Sequence, residues 1–273
     1  MKFINPSFEI IDQPGYELVD IHKHVELCGR TCYKSTDKIT DDSANPFVER
    51  MIKSRHNAML EHGTVYLLMP SDEAHKYVLE SHSYLYDFKK GEPHFGKSAV
   101  TTNLRVIVEK KWQDDLLYLC EPIKGYHKLR VTVKFMCNRQ VSHEFVRHRV
   151  FSFAQESTRY CNYTKNKFGN ELTFIKPCWF DESKWYSKLA LKLCLSGIET
   201  AYNLLVKKGS WKPQQAATIL PNALKTELIM TGFVHDWFHY FNLRALGLTG
   251  APHPQAKELA LPLAEEFIKR KLY

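Results

Sequence analysis

Residues 147 to 160 read Arg147-His148-Arg149-Val150-Phe151-Ser152-Phe153-Ala154-Gln155-Glu156-Ser157-Thr158-Arg159-Tyr160, placing three arginines, a histidine and two serines in one short stretch. A guanidinium offers five N–H donors in a planar fork that matches phosphate or carboxylate, so this density points to anion binding. Apolar Val150, Phe151, Phe153 and Ala154 interrupt the polar residues, which separates the stretch from a solvated charge run. On residue types alone, a salt-bridged helix end fits as well as a phosphate site.

Other constellations could also do chemistry. His56 with Glu61 and His62 makes an H-x4-E-H group just ahead of an apolar run. His235 and His239 stand at i and i+4, on one helical face, as in H-E-x-x-H zinc enzymes, and Glu258 could add a third donor. Asp236 in the second position shortens the reach of a general base, and no metal is expected. Cys178, after Pro177, has only Lys176 beside it to favour a thiolate and is expected to be structural. Basic residues interleave with aromatics over 160–168 and 174–179, a pattern that can stack nucleic-acid bases. A loop packing its rings on the core explains that pattern better, with Lys165 and Lys167 left to assist a phosphate, and no nucleic-acid partner is expected.

These residues need elements to hold them. Leu129 to Phe135 alternates apolar with polar, the period of a half-buried strand. Val141, Phe145 and Val146 then predict a helix that runs into the Arg-His-Arg stretch, so the stretch lies where a helix ends and a loop begins. Upstream, a helix is predicted over 45–56 with Asn45 as N-cap and Pro46 at the first position, a strand over 64–69, and a helix over 71–83. Residues 83–102 read as loop, 104–108 as a strand and 116–119 as a helical turn. Residues 161–180 look irregular. Downstream, 187–206 carries a broad apolar stripe that predicts a helix stopped at Gly209, followed by a helical 214–220. A long helix over 223–243, kinked at Gly232, and a last helix over 254–271 complete the chain.

The length of 273 residues allows one large domain with a substantial core, and 44% hydrophobic residues with 25% charged is ordinary for a globular protein. The formal charge of +8 favours anionic partners. The seven cysteines are scattered without a C-x-x-C pair, as expected of reduced thiols in the cytoplasm. The Met1-Lys2-Phe3-Ile4 start lacks an apolar leader and no uncharged apolar run of about 18 residues occurs, so neither a signal segment nor a membrane span is expected. No G-x-G-x-x-G or G-x4-G-K-[ST] motif is present, which argues against a dinucleotide-binding α/β fold or a phosphate-binding loop of the ATPase kind.

The order Arg147-His148-Arg149, Ser152, Ser157-x-Arg159 resembles the signature of the flavin-dependent thymidylate synthases, and the H-x4-E-H group and Leu243-Arg244 fall where that family has similar motifs. The resemblance covers residues 30–68, 129–160 and 213–265, leaving about 69–128 as an insertion. It implies a single α+β domain over 1–273, an antiparallel sheet flanked by helices, assembled as a homotetramer with shared active sites. It also implies FAD as cofactor, dUMP as nucleotide, and methylenetetrahydrofolate and NAD(P)H as co-substrates for making dTMP. By position, the flavin would meet Cys32, His56, Ala58, Arg147, His148, Arg149, Gln155, His235 and His239. The nucleotide would meet Glu144, Arg147, Gln155, Glu156, Ser157, Thr158, Arg159 and Arg244, with Arg244 and Ser157 catalytic and Arg244 favouring ionisation at N3 of the pyrimidine.

The chain departs from the family pattern at three places. His143-Glu144-Phe145 replaces Arg-Gln-Trp, so an acid stands where a glutamine helps bind the nucleotide. Ala217 replaces an arginine that contacts phosphate, and Phe233 replaces an asparagine. These changes leave open a related pyrimidine methylase or hydroxymethylase with altered nucleotide specificity.

Overall fold

The computed structural model describes residues 1–159, 161–165 and 171–272, so Tyr160, Lys167 and Phe168 lie outside the described residues. In chain order the strands are β1 (Lys2–Ile4), β2 (Ser7–Ile11), β3 (Thr64–Pro70), β4 (Tyr84–Asp87), β5 (Lys97–Asn103), β6 (Arg130–Asn138), β7 (Ser152–Gln155), β8 (Thr173–Ile175) and β9 (Lys225–Phe233). The helices are α1 (Leu18–Cys32), α2 (Ala44–Lys53), α3 (Ser71–Ala74), α4 (Leu104–Lys110), α5 (Arg139–Phe145), α6 (Trp185–Lys207), α7 (Pro213–Ala216), α8 (Val234–Phe241) and α9 (Pro254–Lys269). The fold is α+β, as the resemblance implies.

The central sheet is antiparallel, in the order β2-β6-β9-β7, with β7 at an edge. Alternation along β6 sends Val131, Val133 and Phe135 to one face, where they meet Leu228 and Met230 of β9, Val141 and Phe145 of α5, Trp237 and Tyr240 of α8, and Leu259, Leu263 and Phe267 of α9. The opposite face carries Arg130, Thr132 and Lys134. A polar strand face usually meets water, but here α1 lies over it: His24 Nε2 shares a hydrogen with Thr132 Oγ1 at 2.9 Å, and Thr132 shares one with Thr231 at 2.8 Å. His62 Nδ1 joins the same hydroxyl cluster at Thr231, 2.7 Å away.

The expected insertion is ordered. With β3 it builds a second antiparallel sheet, β3-β5-β4, and a second core shared with α1 and α2, in which Val65, Leu67 and Met69 pack with Tyr77, Val100, Leu104 and Ile107. The loop expected over 83–102 is corrected here, because β4 and β5 pair across it. The strand expected at 104–108 is a helix: Asn103 accepts from the Val106 N–H at 3.2 Å and starts a turn that overrides the β-branched run. The helix expected over 71–83 ends after α3 and a 3-10 turn at His75–Tyr77. Asn45 sits inside α2 rather than capping it, and its side chain bonds His22 at 2.7 Å.

The long helix expected over 223–243 is also wrong. Its first half is β9, buried on both faces, so no alternation betrays it; the helical period begins only at Val234. Gly232 is no kink. A Cβ there would lie 2.5 Å from Phe151, whose ring packs directly over the strand.

Among the described residues one helix, α6, is long and apolar enough to cross a membrane by length and composition, with a mean hydropathy of 1.3. It carries Lys188 and Lys192, and buries Leu195 and Tyr202 against Tyr163, Phe174 and Leu224.

Candidate active site

The signature follows directly on a capped helix. Asn138 Oδ1 accepts from the Val141 N–H at 2.8 Å and begins α5, whose last turn passes into a tight bend at Arg147–Val150. In that bend His148 is 7% exposed while Arg147 and Arg149 point to solvent. The chain then enters β7, so the expected helix-to-loop passage is a helix-to-strand passage at Ser152–Gln155.

Arg244 reaches the same place from the other end of the sequence. After α8 the helix widens into one π-helical turn, Asn242–Leu246, closed by Gly247 at φ 71°. Arg244 Nη1 donates to Glu144 Oε2 at 2.6 Å, Nη2 to the Glu144 carbonyl at 2.9 Å, and Nε to His148 Nε2 at 3.1 Å. Burial, with the nearby Arg244 and His239, pushes the His148 imidazole down to about 4. His148 is therefore neutral at pH 7, and the bond it accepts from Arg244 assigns its own proton to Nδ1. The His148 ring lies 6.1 Å from that of His239 and 5.2 Å from that of Tyr240.

Past β7 the nucleotide-loop candidates diverge. Gln155 Nε2 donates to Ser142 on α5 at 2.9 Å. Glu156 is 3% exposed and turns to the α1 side, where Lys225 Nζ lies 2.9 Å away and Lys34 Nζ 3.5 Å. Ser157 N–H donates to the Cys32 carbonyl at 3.0 Å, and the Ser157 hydroxyl accepts from the Arg159 N–H at 3.3 Å. Thr158 is half-buried and Arg159 exposed.

On this α1 side lie the other flavin candidates. Cys32 ends α1 against Met59, and burial raises its thiol to about 11, so it is no thiolate. His56 and Ala58 are exposed and border an open groove of about 420 Å3 with Tyr33, Arg55, Met59 and Arg105. His235 stacks on Phe233 with ring centroids 5.4 Å apart, while His239 turns toward His148, so the two histidines do not converge. Among the described residues no cluster of three metal-binding side chains exists. Glu258 lies near Cys178, whose thiol is raised by burial and by that carboxylate. The sequence-predicted residues therefore form two groups, Glu144, His148, His239 and Arg244 on one face of the sheet and Cys32, His56 and Ala58 on the other, with edge strand β7 between them.

Several neighbours escaped the sequence reading. Lys34, Lys134 and Lys225 converge on Glu156 and Glu227, and Lys34, Lys225 and the two carboxylates line a cavity of about 280 Å3. Burial raises the Glu227 carboxyl, but Lys225 and Lys34 outweigh it and hold the group at about 2. Lys225-x-Glu227 was the available signal: a period of two, hidden inside a segment read as helix. Arg130 is buried with no carboxylate within ion-pair range among the described residues; burial lowers it to about 10. Its N–H groups reach the Glu61 carbonyl, Thr64 and Ser152.

The α+β fold thus clamps one arginine between a carboxylate and a neutral imidazole, beside two exposed guanidiniums. The family model described as "Thymidylate synthase complementing protein" matches residues 127–270, and the chain belongs to that family. It is 30% identical over 139 residues to the flavin-dependent thymidylate synthase of Pyrococcus furiosus, a match spanning 49% of this chain and 52% of the relative. It is 24% identical over 231 residues to the enzyme of the same name from Corynebacterium aurimucosum, spanning 81% of this chain and 66% of the relative. The chain thus spans about half the length of the first relatives it matches. Among solved structures it is similar to a UMP/dUMP methylase, PolB of Streptomyces cacaoi, at 13% identity and a TM-score of 0.48, covering 98% of this chain and 93% of the other.

Proposed function

We propose that the chain is a flavin-dependent enzyme that transfers a one-carbon unit to C5 of a pyrimidine nucleotide, with dUMP to dTMP as the reaction its family membership suggests. The observation that carries this reading is Arg244, held by Glu144 and His148 at the end of the signature bend. A guanidinium fixed in this way can donate to a pyrimidine edge without reorganising, which is what stabilises charge as it develops. His148 stays neutral and acts as a positioning residue through its bond to Arg244 Nε. Arg147 would serve both flavin and nucleotide, and Ser157, Thr158 and Arg159 would take the phosphate; Gln155 and Glu156 brace the loop from opposite sides.

The donor set fits FAD. Arg147 and Arg149 are exposed guanidiniums suited to a diphosphate, and His56 with Tyr33 borders a groove of about 420 Å3 suited to ring stacking. Bound there, FAD would accept hydride from NAD(P)H and return it to the methylene carried from methylenetetrahydrofolate. Because its candidate ligands lie on both faces of edge strand β7, a homotetramer with shared sites suits them better than a monomer. The whole chain acts as one domain, with 69–128 inserted and Arg105 contributed from the insertion to the groove.

The test is the visible spectrum of the purified protein. Flavin bands that bleach under NAD(P)H, with dUMP and methylenetetrahydrofolate then giving a C5-methylated product, support the reading. Colourless protein that binds oligonucleotides with steep salt dependence overturns it. The contact between Glu144 and Arg244 favours a second reading, the same chemistry on a different pyrimidine.

A further inference from the structure

We propose that the Glu144–Arg244 pair selects a cytosine nucleotide over a uracil nucleotide. The inference rests on the proposed flavin-dependent C5 chemistry and names its base. Arg244 spends three of its five N–H donors on Glu144 Oε2, the Glu144 carbonyl and His148, leaving one hydrogen on each Nη. Glu144 Oε1 accepts from none of the described residues. Both side chains keep a partly open edge, 18% exposed for Arg244 and 19% for Glu144. The groups left free are one acceptor oxygen on Glu144 and two donor hydrogens on Arg244.

Cytosine presents the complement: the N4 amino group donates, and N3 and O2 accept. Carboxylate to cytosine N4 and arginine to paired acceptors are both established readout geometries. Uracil meets the same edge badly, because its O4 would face a carboxylate oxygen and its N3–H would face a donor. A site built to pair a polar group discriminates strongly against an isostere that leaves it unpaired. The charge balance points the same way. Cytosine has no N3 proton to lose, so its recognition needs no anion beside the Glu144 carboxylate. A hydrogen bond from N4–H to Glu144 also pushes amino electron density toward C5, the atom that must attack.

The experiment uses FAD-loaded protein and equilibrium binding of dCMP, dUMP and N4,N4-dimethyl-dCMP, with the flavin spectrum recorded on the same samples. The expected result is dCMP bound at least tenfold tighter than dUMP, loss of that advantage in the dimethyl analogue, and reversal of the preference in Glu144→Gln. Equal binding, a dUMP preference, no binding of dCMP, or a dimethyl analogue as tight as dCMP overturns the proposal. The wild-type ratios decide this even where the variant fails to fold. Failure of the flavin reading appears separately, as bands that are absent or do not bleach under NAD(P)H while the cytosine preference stands.

Discussion

Gln155 and Glu156 are adjacent in the chain and point to opposite faces of the central sheet: Gln155 bonds Ser142 on α5, and Glu156 joins Lys225 and Lys34 on the α1 side. Strand alternation forces this, since β7 pairs with β9 up to Gln155. The end of the signature is pinned from both sides, which holds the Ser157–Arg159 turn in place beside the end of α1.

The ion cluster beneath that turn should be a large part of its rigidity. Glu227 and Lys225 have side chains only 11% exposed, so removing one partner strands a buried charge. Lys225→Met should cost about 3 kcal/mol in urea unfolding, and Glu227→Gln a comparable amount. The double variant Lys225→Met/Glu227→Gln should recover part of the loss; strictly additive losses would show that the two do not interact.

Stability should fall with acid before the carboxylates titrate. Burial and the neighbouring Arg130 hold His24 down at about 4, and burial with His24 and Arg130 holds His62 down at about 3. Both are neutral when folded, and the unfolded chain takes up their protons below about 6.5. The unfolded state therefore binds more protons between about pH 6.5 and 4, and stability rises with pH across that window, by about 1.4 kcal/mol per pH unit for each histidine. Urea midpoints at pH 7 and pH 5 measure it. His62→Asn should flatten the slope, and a midpoint independent of pH would contradict the buried, neutral assignment.

Gly232 should tolerate no side chain. Gly232→Ala places a methyl 2.5 Å from the Phe151 ring and should destabilise by about 1–3 kcal/mol, with Phe151→Leu restoring part of the loss in the double variant. A neutral Gly232→Ala melting temperature would show that β9 and the signature bend are not in contact.

Arg244→Ala should retain flavin yet lose at least about 100-fold in turnover, the scale on which a fixed electrostatic donor acts. Arg244→Lys should recover little, because a point charge cannot reproduce the three-way clamp of Glu144 and His148. Unchanged turnover in Arg244→Ala would remove this residue from the mechanism.

Local chemistry made much of this protein legible in sequence. The alternation of β6, the apolar stripe of α6 and the spacing from Arg147 to Arg159 depend on near neighbours, and a period or a motif reports them. Tertiary context decided the rest. β9 read as a helix because both of its faces are covered, which removes the alternation that marks a strand. The polar face of β6 read as solvent-facing, although α1 buries it with hydroxyls and neutral imidazoles that bond one another. Glu144 could be compared with a family position, but its partner Arg244 stands 100 residues away. Only the packing of α8 and its π turn against α5 brings that carboxylate and guanidinium together, and with them the edge that a base must match.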